Sequence, residues 1–261
     1  MPDLLLSNRP GFTPMIARLV GMMEYARATT LQAVQGLSVE ELDLIPPEFG
    51  NSAGMLLEHF AAVEAYYQHA TFDHPADPET LLDPRWLPGL DLGTRGREAI
   101  RGRPLRHYLT QLAEVRAETL RRFAVHDDAW LDEPLALWST TGNRHFMWFH
   151  VFEDELNHRG QIRLIHKFIP RLRTRGLLGA GFEALSDGVG LRCTVVQEGG
   201  PADLAGLRVG DVVLDYDGLD MTGTLYDEVP LVQAAGVTSR FRVQREGGVH
   251  DLTVTRGARP G

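Results

Sequence analysis

Apolar positions recur along this chain with two different periods, and the change falls near Pro170. From Phe12 to Gln35 they return every three or four residues, the repeat of a helix that buries one face. Thr13-Pro14 supplies a cap and a first turn. The same repeat runs from Ala53 to about Thr71 through Met55, Leu56, His59, Phe60, Val63 and Tyr67, with Asn51 or Ser52 as the cap. Residues 73–97 are rich in Pro, Gly and Asp and predict a long loop. Pro104 suits a first helical turn, and Leu105, Tyr108, Leu109, Leu112, Val115 and Leu120 continue that helix to Phe123. An irregular stretch follows with Trp130, Pro134 and Trp138. The last helix spans Arg144 to about Phe168 and stops at Pro170. Four helices with long connections predict an all-α four-helix bundle over residues 1–170.

Beyond Pro170 glycine becomes frequent and the runs shorten to strand length: Leu191 to Val196, Val212 to Asp215, Phe241 to Gln244 and Asp251 to Thr255. Turn signals separate them at Ser186-Asp187-Gly188, Asp217-Gly218 and Gly247-Gly248. A small β-rich domain over residues 171–261 is predicted, entered through a short, basic, exposed linker at Arg171–Arg175. No internal repeat or low-complexity tract is visible.

The bulk properties narrow the function classes. The chain has 261 residues, 43% of them hydrophobic, enough for real cores. Its net charge is -9. The helical half, to residue 170, holds 16 basic and 23 acidic side chains, a net -7. That balance argues against a nucleic-acid binder, which needs clustered positive charge. Cys193 is the only cysteine, so neither an intrachain disulfide nor a cysteine cluster can form. It falls in a predicted strand and reads as buried packing. Met1 to Pro10 lacks a basic segment followed by a long apolar run, and no window approaches a membrane-spanning length. A soluble cytoplasmic protein without membrane partners is expected.

The most informative stretch lies in the last helix. His150, Asp154 and His158 follow one another at intervals of four residues. At about 3.6 residues per turn each step advances roughly 40° beyond a full turn, so the three form a slightly spiralling row on one face. Phe149, Phe152, Leu156, Ile162 and Ile165 flank the row, which predicts that it faces a core. Polar heads on a buried face are costly unless paired or coordinated, and a divalent metal is one way to satisfy them.

The run Gly199-Gly-Pro-Ala-Asp-Leu-Ala-Gly-Leu-Arg-Val-Gly-Asp-Val-Val-Leu-Asp-Tyr-Asp-Gly218 is similar to the core of bacterial PDZ domains such as those of HtrA-like proteases. In that family Pro-Ala begins a short helix, Ala-Gly-Leu ends it and Gly-Asp leads into a buried strand. The resemblance covers about residues 174–257. It implies that a peptide strand adds to a sheet edge and that backbone amides hold its terminal carboxylate. The carboxylate loop would be Leu177-Leu178-Gly179-Ala180, ahead of a strand through Phe182, with Gly188-Val189-Gly190-Leu191 as a second candidate. Ala180 is smaller than the family's usual residue there. The facing helix would lie near Leu225 to Ala235, interrupted by Pro230. No protease Ser, His and Asp arrangement accompanies the domain.

The string His158-Arg159-Gly160-Gln161 resembles the DinB-like metalloproteins, many of which carry His-Arg-Gly-Gln in their last helix. The family places another ligand four residues earlier, here Asp154, and one in the second helix in a Leu-His motif, here Glu58-His59. The resemblance covers most of residues 10–168. The implied ligand set is His59, Asp154 and His158. His150 is an alternative ligand to Asp154 or supports a ligand from outside the set, and Gln161 hydrogen-bonds near the site or lies on the helix surface. The common family pattern is three histidines. Asp154 departs from it and resembles the thiol-dependent relatives, similar to mycothiol-dependent isomerases and transferases, which use a carboxylate, usually Glu.

The cofactor implied is a divalent metal ion, zinc or nickel first and iron or manganese as further candidates, together with a low-molecular-weight thiol. The resemblance implies a metal-dependent thiol S-transferase or isomerase whose partners are a small-molecule thiol and an electrophile, in a homodimer. The alternative is a non-catalytic metal-binding scaffold or stress-response module whose PDZ-like domain binds protein C-terminal peptides. No general base stands out: Glu153 and Glu155 point elsewhere on the helix. His69, His107, His145 and His166 are expected to have no role in the site, Arg159 to lie on the surface or in an ion pair, and Trp138 and Trp148 to be core or pocket wall.

Overall fold

The computed structural model describes residues 4–73, 78–137, 140–185 and 188–258. The chain divides into two compact units, one made of Met1–Val34 and Ser38–Ile165 and the other of Gln35–Leu37 and His166–Gly261. Trp138, Ser186 and Asp187 lie outside the described residues. Among the described residues no helix is long and apolar enough to cross a membrane.

The first unit begins with α1 (Pro14–Val34). The sequence predicts a cap at Thr13-Pro14, and Pro14 is indeed the first helical residue. The free amides of Met15 and Ile16, however, donate to Asp128 Oδ1 at 3.0 and 3.3 Å, and the Thr13 hydroxyl bonds the same carboxylate. A long-range carboxylate therefore takes the capping role. A short α2 (Val39–Leu42) starts in a capping box between Ser38 and Glu41. In α3 (Ala53–Gln68) the Ser52 hydroxyl accepts from Met55 N at 3.2 Å, and a π-helical turn, His69–Asp73, extends the helix.

Residues 78–99 are not the irregular loop the composition predicts. They form 3-10 turns at Pro78–Leu81 and Pro84–Trp86, then α4 (Leu87–Asp91) and α5 (Gly93–Ala99). Pro84 and Pro88 sit in first turns, where their missing N–H costs nothing, and Asp83 caps Arg85 N at 2.9 Å. Leu82 and Trp86 are buried. Then come α6 (Leu105–Phe123), α7 (Asp128–Asp132), the hairpin β1 (Pro134–Leu137) with β2 (Thr140–Asn143), and α8 (Arg144–Ile165). Helix α1 packs against α8, and α3 packs against both α6 and α8. Trp148, Phe123, Met23 and Ile16 fill the core between them.

One charged cluster interrupts that apolar core. Each of the four long helices contributes a member: Arg27 from α1, Glu64 from α3, Arg116 from α6 and Glu155 from α8. Arg27 lies 3.0 Å from Glu155 and 3.2 Å from Glu64, and Arg116 lies 2.7 Å from Glu64. The Thr119 hydroxyl also donates to Glu64 at 2.8 Å. Two guanidinium groups and two carboxylates leave the cluster neutral, which is what makes its burial tolerable.

The second unit opens with a 3-10 turn, His166–Phe168, and α9 (Pro170–Arg173), so the stretch predicted as an exposed linker is structured. Leu172 is buried, and Arg171 donates to the carbonyls of Val232 and Gly36 at 2.7 and 2.8 Å. The sheet comprises β3 (Ala180–Glu183), β4 (Leu191–Val196), β5 (Val212–Tyr216), β6 (Leu219–Asp220), β7 (Thr238–Arg245) and β8 (Gly248–Thr255), with the short helix α10 (Pro201–Leu204) between β4 and β5. The strand order is β3-β4-β5-β7-β8, β6 also pairs with β5, and all pairings are antiparallel. Asp217 and Gly218 both have positive φ, 53° and 87°, which closes the tight β5–β6 hairpin. Leu191, Cys193, Val213, Tyr216, Phe241 and Val243 form the core. The predicted facing helix at 225–235 is absent. A 3-10 turn at Tyr226–Glu228 leads into extended chain, and Pro230 lacks the amide a helix would need.

Candidate metal centre

The Ser52 cap starts α3 so that His59 lies about two turns inside it, facing α8. On α8, Asp154 and His158 are one turn apart on the same side. His59 Nε2 stands 3.3 Å from Asp154 Oδ2, and His158 Nε2 stands 3.4 Å from Asp154 Oδ1. The two imidazole rings are 5.0 Å apart at 85°. One ligand atom from each of the three residues lies within 4.8 Å of the other two.

The orientation of His59 is set from behind. Its Nδ1 lies 2.8 Å from the Gly89 carbonyl, which can only accept, so Nδ1 carries a proton. In the neutral ring Nε2 then offers a lone pair towards a carboxylate oxygen. Asp154 Oδ2 is buried and lacks a hydrogen bond of good geometry, despite the short distance to His59. Two acceptors facing each other are satisfied by a shared cation, either a further proton or a metal ion. The residues thus fit a divalent ion: two imidazole nitrogens and one carboxylate converge, and one ligand has its outer nitrogen fixed by a carbonyl.

The electrostatics agree. Burial opposes the charge on Asp154, but hydrogen bonding and attraction from His158, and from His59 once its Nε2 also carries a proton, outweigh it and hold the carboxyl well below its usual range. The Asp154 carboxylate in turn raises the pKa of His158 against the opposing effect of burial, and the Gln161 side chain adds to the rise. His158 Nδ1 is nonetheless buried without a hydrogen bond of good geometry. The Phe60 ring lies 6.3 Å from the His158 ring and forms part of the wall. Burial first, then Tyr66 and Asp154, raise the pKa of Tyr67, so its phenol keeps its proton.

Of the row on α8, Asp154 and His158 join His59, whereas His150 does not. Its Nδ1 is 3.0 Å from Glu153, and its ring stacks at 11° on Phe146. Glu155 points into the buried charged cluster. His107 lies 3.7 Å from Glu58, which Arg103 holds at 3.0 Å. Arg159 reaches the Thr29 hydroxyl, and Trp148 is core. Gly89 is the residue that sequence reasoning misses. A Cβ there would lie 3.0 Å from both Cγ and the carbonyl oxygen of Glu58, a tight contact, so glycine eases the close approach of this backbone to α3 that brings its carbonyl to His59. The Pro88-Gly89 pair is the sole signal, and it reads as a turn.

In the second unit Leu177 exchanges backbone hydrogen bonds with Gly257 at 2.8 and 3.0 Å, and Gly179 has a φ of +75°. Ala180 begins β3, an edge strand. The second candidate loop, Gly188–Leu191, leads instead into β4, which is paired on both sides.

Comparison with known proteins gives two domain matches. Residues 18–169 match the family described as mycothiol-S-transferase, and residues 192–245 match the PDZ domain. Disks large homolog 2 of Danio rerio is 31% identical over 90 residues, covering 30% of this chain and 10% of that protein. Tax1-binding protein 3 of Homo sapiens is 46% identical over 39 residues, covering 15% of this chain and 32% of that one. The chain thus spans a tenth to a third of the length of these curated relatives. A solved structure described as HtrA-type protease AlgW with tripeptide is 27% identical, with a TM-score of 0.25 over 33% of each chain.

Proposed function

The chain belongs to the mycothiol-S-transferase family, and from that premise we propose that its helical domain is a divalent-metal-dependent thiol S-transferase or isomerase acting on small molecules. The observation that supports the metal dependence is the convergence of His59 Nε2 and His158 Nε2, at 3.3 and 3.4 Å, on the two oxygens of the Asp154 carboxylate, with His59 Nδ1 turned to the Gly89 carbonyl. His59, Asp154 and His158 would hold the ion, with zinc or nickel ahead of iron or manganese. A bound ion would favour the thiolate of a small-molecule thiol and act as a Lewis acid and template.

The protein's own residues supply the rest. Gly89 keeps His59 in one tautomer and orientation. Phe60 shields the ring of His158. Tyr67 stays a phenol and offers a hydrogen-bond donor near the carboxylate. In the transfer the thiol S–H bond breaks and sulfur bonds to an electrophilic carbon as that carbon's bond to its leaving group breaks; the leaving group departs with the bonding pair, and the thiol proton passes to it or to solvent. The thiol is a low-molecular-weight one, and mycothiol, the thiol in the family's description, is the first to test.

The test loads the protein with each metal, measures its content, and follows loss of the thiol against a panel of electrophiles. Metal-dependent turnover is expected. A fully metalated protein that neither consumes thiol nor isomerises any member of the panel in its presence sinks the enzyme reading. The PDZ domain supports a second reading, in which the metal-binding module is not catalytic and the C-terminal domain docks on protein C-termini. Retained peptide binding without thiol turnover selects it.

A further inference from the structure

Strand β3 pairs with β4 alone among the described residues, so one side of it is open. The Gln197 amide donates to the Gly179 carbonyl at 2.8 Å, which sets the alternation along the strand. In an antiparallel ladder every second residue turns its backbone groups to the partner, and the residues between turn theirs away. The Gly179 carbonyl and the backbone groups of Gly181 therefore face β4, while Ala180 and Phe182 present amide and carbonyl to the open side. The irregularity in this ladder adds Thr194 to β4, because Gly181 opposes Val195 and Phe182 opposes Cys193. The alternation on β3 is unaffected.

One of those outward groups is already taken. The Tyr226 hydroxyl donates to the Phe182 carbonyl at 3.2 Å. Tyr226 opens the stretch that stands where a facing helix was predicted, and that stretch is pinned along its length. Gln35 Nε2 donates to the Tyr226 carbonyl at 3.2 Å, Gly36 N to Asp227 O at 2.8 Å, Tyr216 to Pro230 O at 3.3 Å, and Arg256 to Leu231 O at 3.0 Å. Gln35 and Gly36 belong to this same unit. A Cβ on Gly36 would lie 2.3 Å from Pro230 Cα, so the contact is backbone against backbone.

We propose that Tyr226 is an internal latch on the peptide-accepting edge: its hydroxyl occupies the Phe182 carbonyl, and a protein C-terminus binds only by displacing it. This rests on the reading of the C-terminal domain as a peptide binder. The ligand is a free C-terminus ending in an apolar residue, since Leu178, Ala180 and Phe182 are partly buried apolar side chains packed on the core. With its carboxylate at the Leu178–Gly179 amides, its last residue lies beside Ala180. The period of two then sets its third-from-last residue beside Phe182, whose carbonyl must accept that residue's amide proton.

The test uses the full chain and fluorescence polarisation with labelled peptides bearing apolar C-termini. Tyr226→Phe keeps the ring and removes the competing donor. It should tighten binding about fivefold, the factor of one ordinary hydrogen bond. Gln35→Ala frees the Tyr226 backbone and should shift binding the same way by less. A peptide N-methylated at its third-from-last residue should bind more weakly and equally to wild type and Tyr226→Phe. Equal affinity of wild type and Tyr226→Phe for the unmodified peptides overturns the latch while peptide binding stands. Absence of binding to either protein, or indifference to amidation of the peptide C-terminus, overturns the peptide-binding reading and the latch together.

Discussion

His59 and Gly89 are joined by a single hydrogen bond of 2.8 Å, from an imidazole Nδ1 to a backbone carbonyl, and that bond decides which nitrogen of His59 faces Asp154. Replacing Gly89 by Ala sets a Cβ 3.0 Å from Glu58 and is expected to shift the Gly89 backbone by a few tenths of an ångström from α3, lengthening its bond to His59. Loss of such a supporting bond is expected to weaken metal affinity about 10- to 100-fold, as such partners of metal-bound histidine generally do. Competition with a chromophoric chelator measures it, and thermal unfolding of the metal-free protein should change little by comparison.

The ligand set separates from its neighbour by substitution. Asp154→Ala, His158→Ala and His59→Ala are each expected to lose bound metal, and His150→Ala to keep it, because Glu153 holds His150 elsewhere. Elemental analysis of the purified variants decides. Metal lost in His150→Ala but kept in Asp154→Ala would reverse the assignment.

The buried charged cluster makes an asymmetric prediction. Glu64→Ala leaves Arg27 and Arg116 without the carboxylate they share and should cost about 3–5 kcal/mol in a urea unfolding series. Removing Arg116 together with Glu64, as Arg116→Met with Glu64→Leu, leaves the Arg27–Glu155 pair intact and should recover most of that loss. A double variant as unstable as Glu64→Ala alone would show that the cluster is not coupled in this way.

Acid should loosen the same cluster. Burial raises the pKa of Glu64, but Arg116 and Arg27 outweigh it and leave the folded carboxyl below its ordinary value of 4.5. The unfolded chain then binds the proton more readily, so stability falls as the pH drops through and below that ordinary value. The urea midpoint of the wild type is expected to hold above about pH 5 and decline below it. In the Arg116→Met, Glu64→Leu variant the decline should be shallower. Equal slopes would remove Glu64 from the account.

The long helices are legible in the sequence because each buries a face through several turns, long enough for a period to register. The pair Asp154 and His158 is legible for the same reason, since a helix fixes the placing of residues four apart. Residues 78–99 are not, because no element there exceeds the 7 residues of α5, too few turns for a period to register, and Pro and Gly stand at or near their ends. Gly89 is hidden because it acts through a carbonyl that every residue carries. Asp128 is hidden because the α1 amides it caps lie more than a hundred positions away, at separations of 113 and 112. The stretch after Leu225 is read as helical from a family likeness, and Pro230 with the pinning bonds overrides it.

That Gln35–Leu37 belong to the C-terminal unit bears on how the protein is made. Gln35 and Tyr226 are 191 positions apart in sequence. At about 5–20 residues per second, a ribosome takes on the order of ten to forty seconds to travel between them. The turn after α1 therefore leaves the ribosome early and waits, unpaired, for a partner not yet translated. A gene fragment that starts after α8 encodes the whole sheet but omits Gly36, and the chain it yields lacks the backbone that lies against Pro230 Cα.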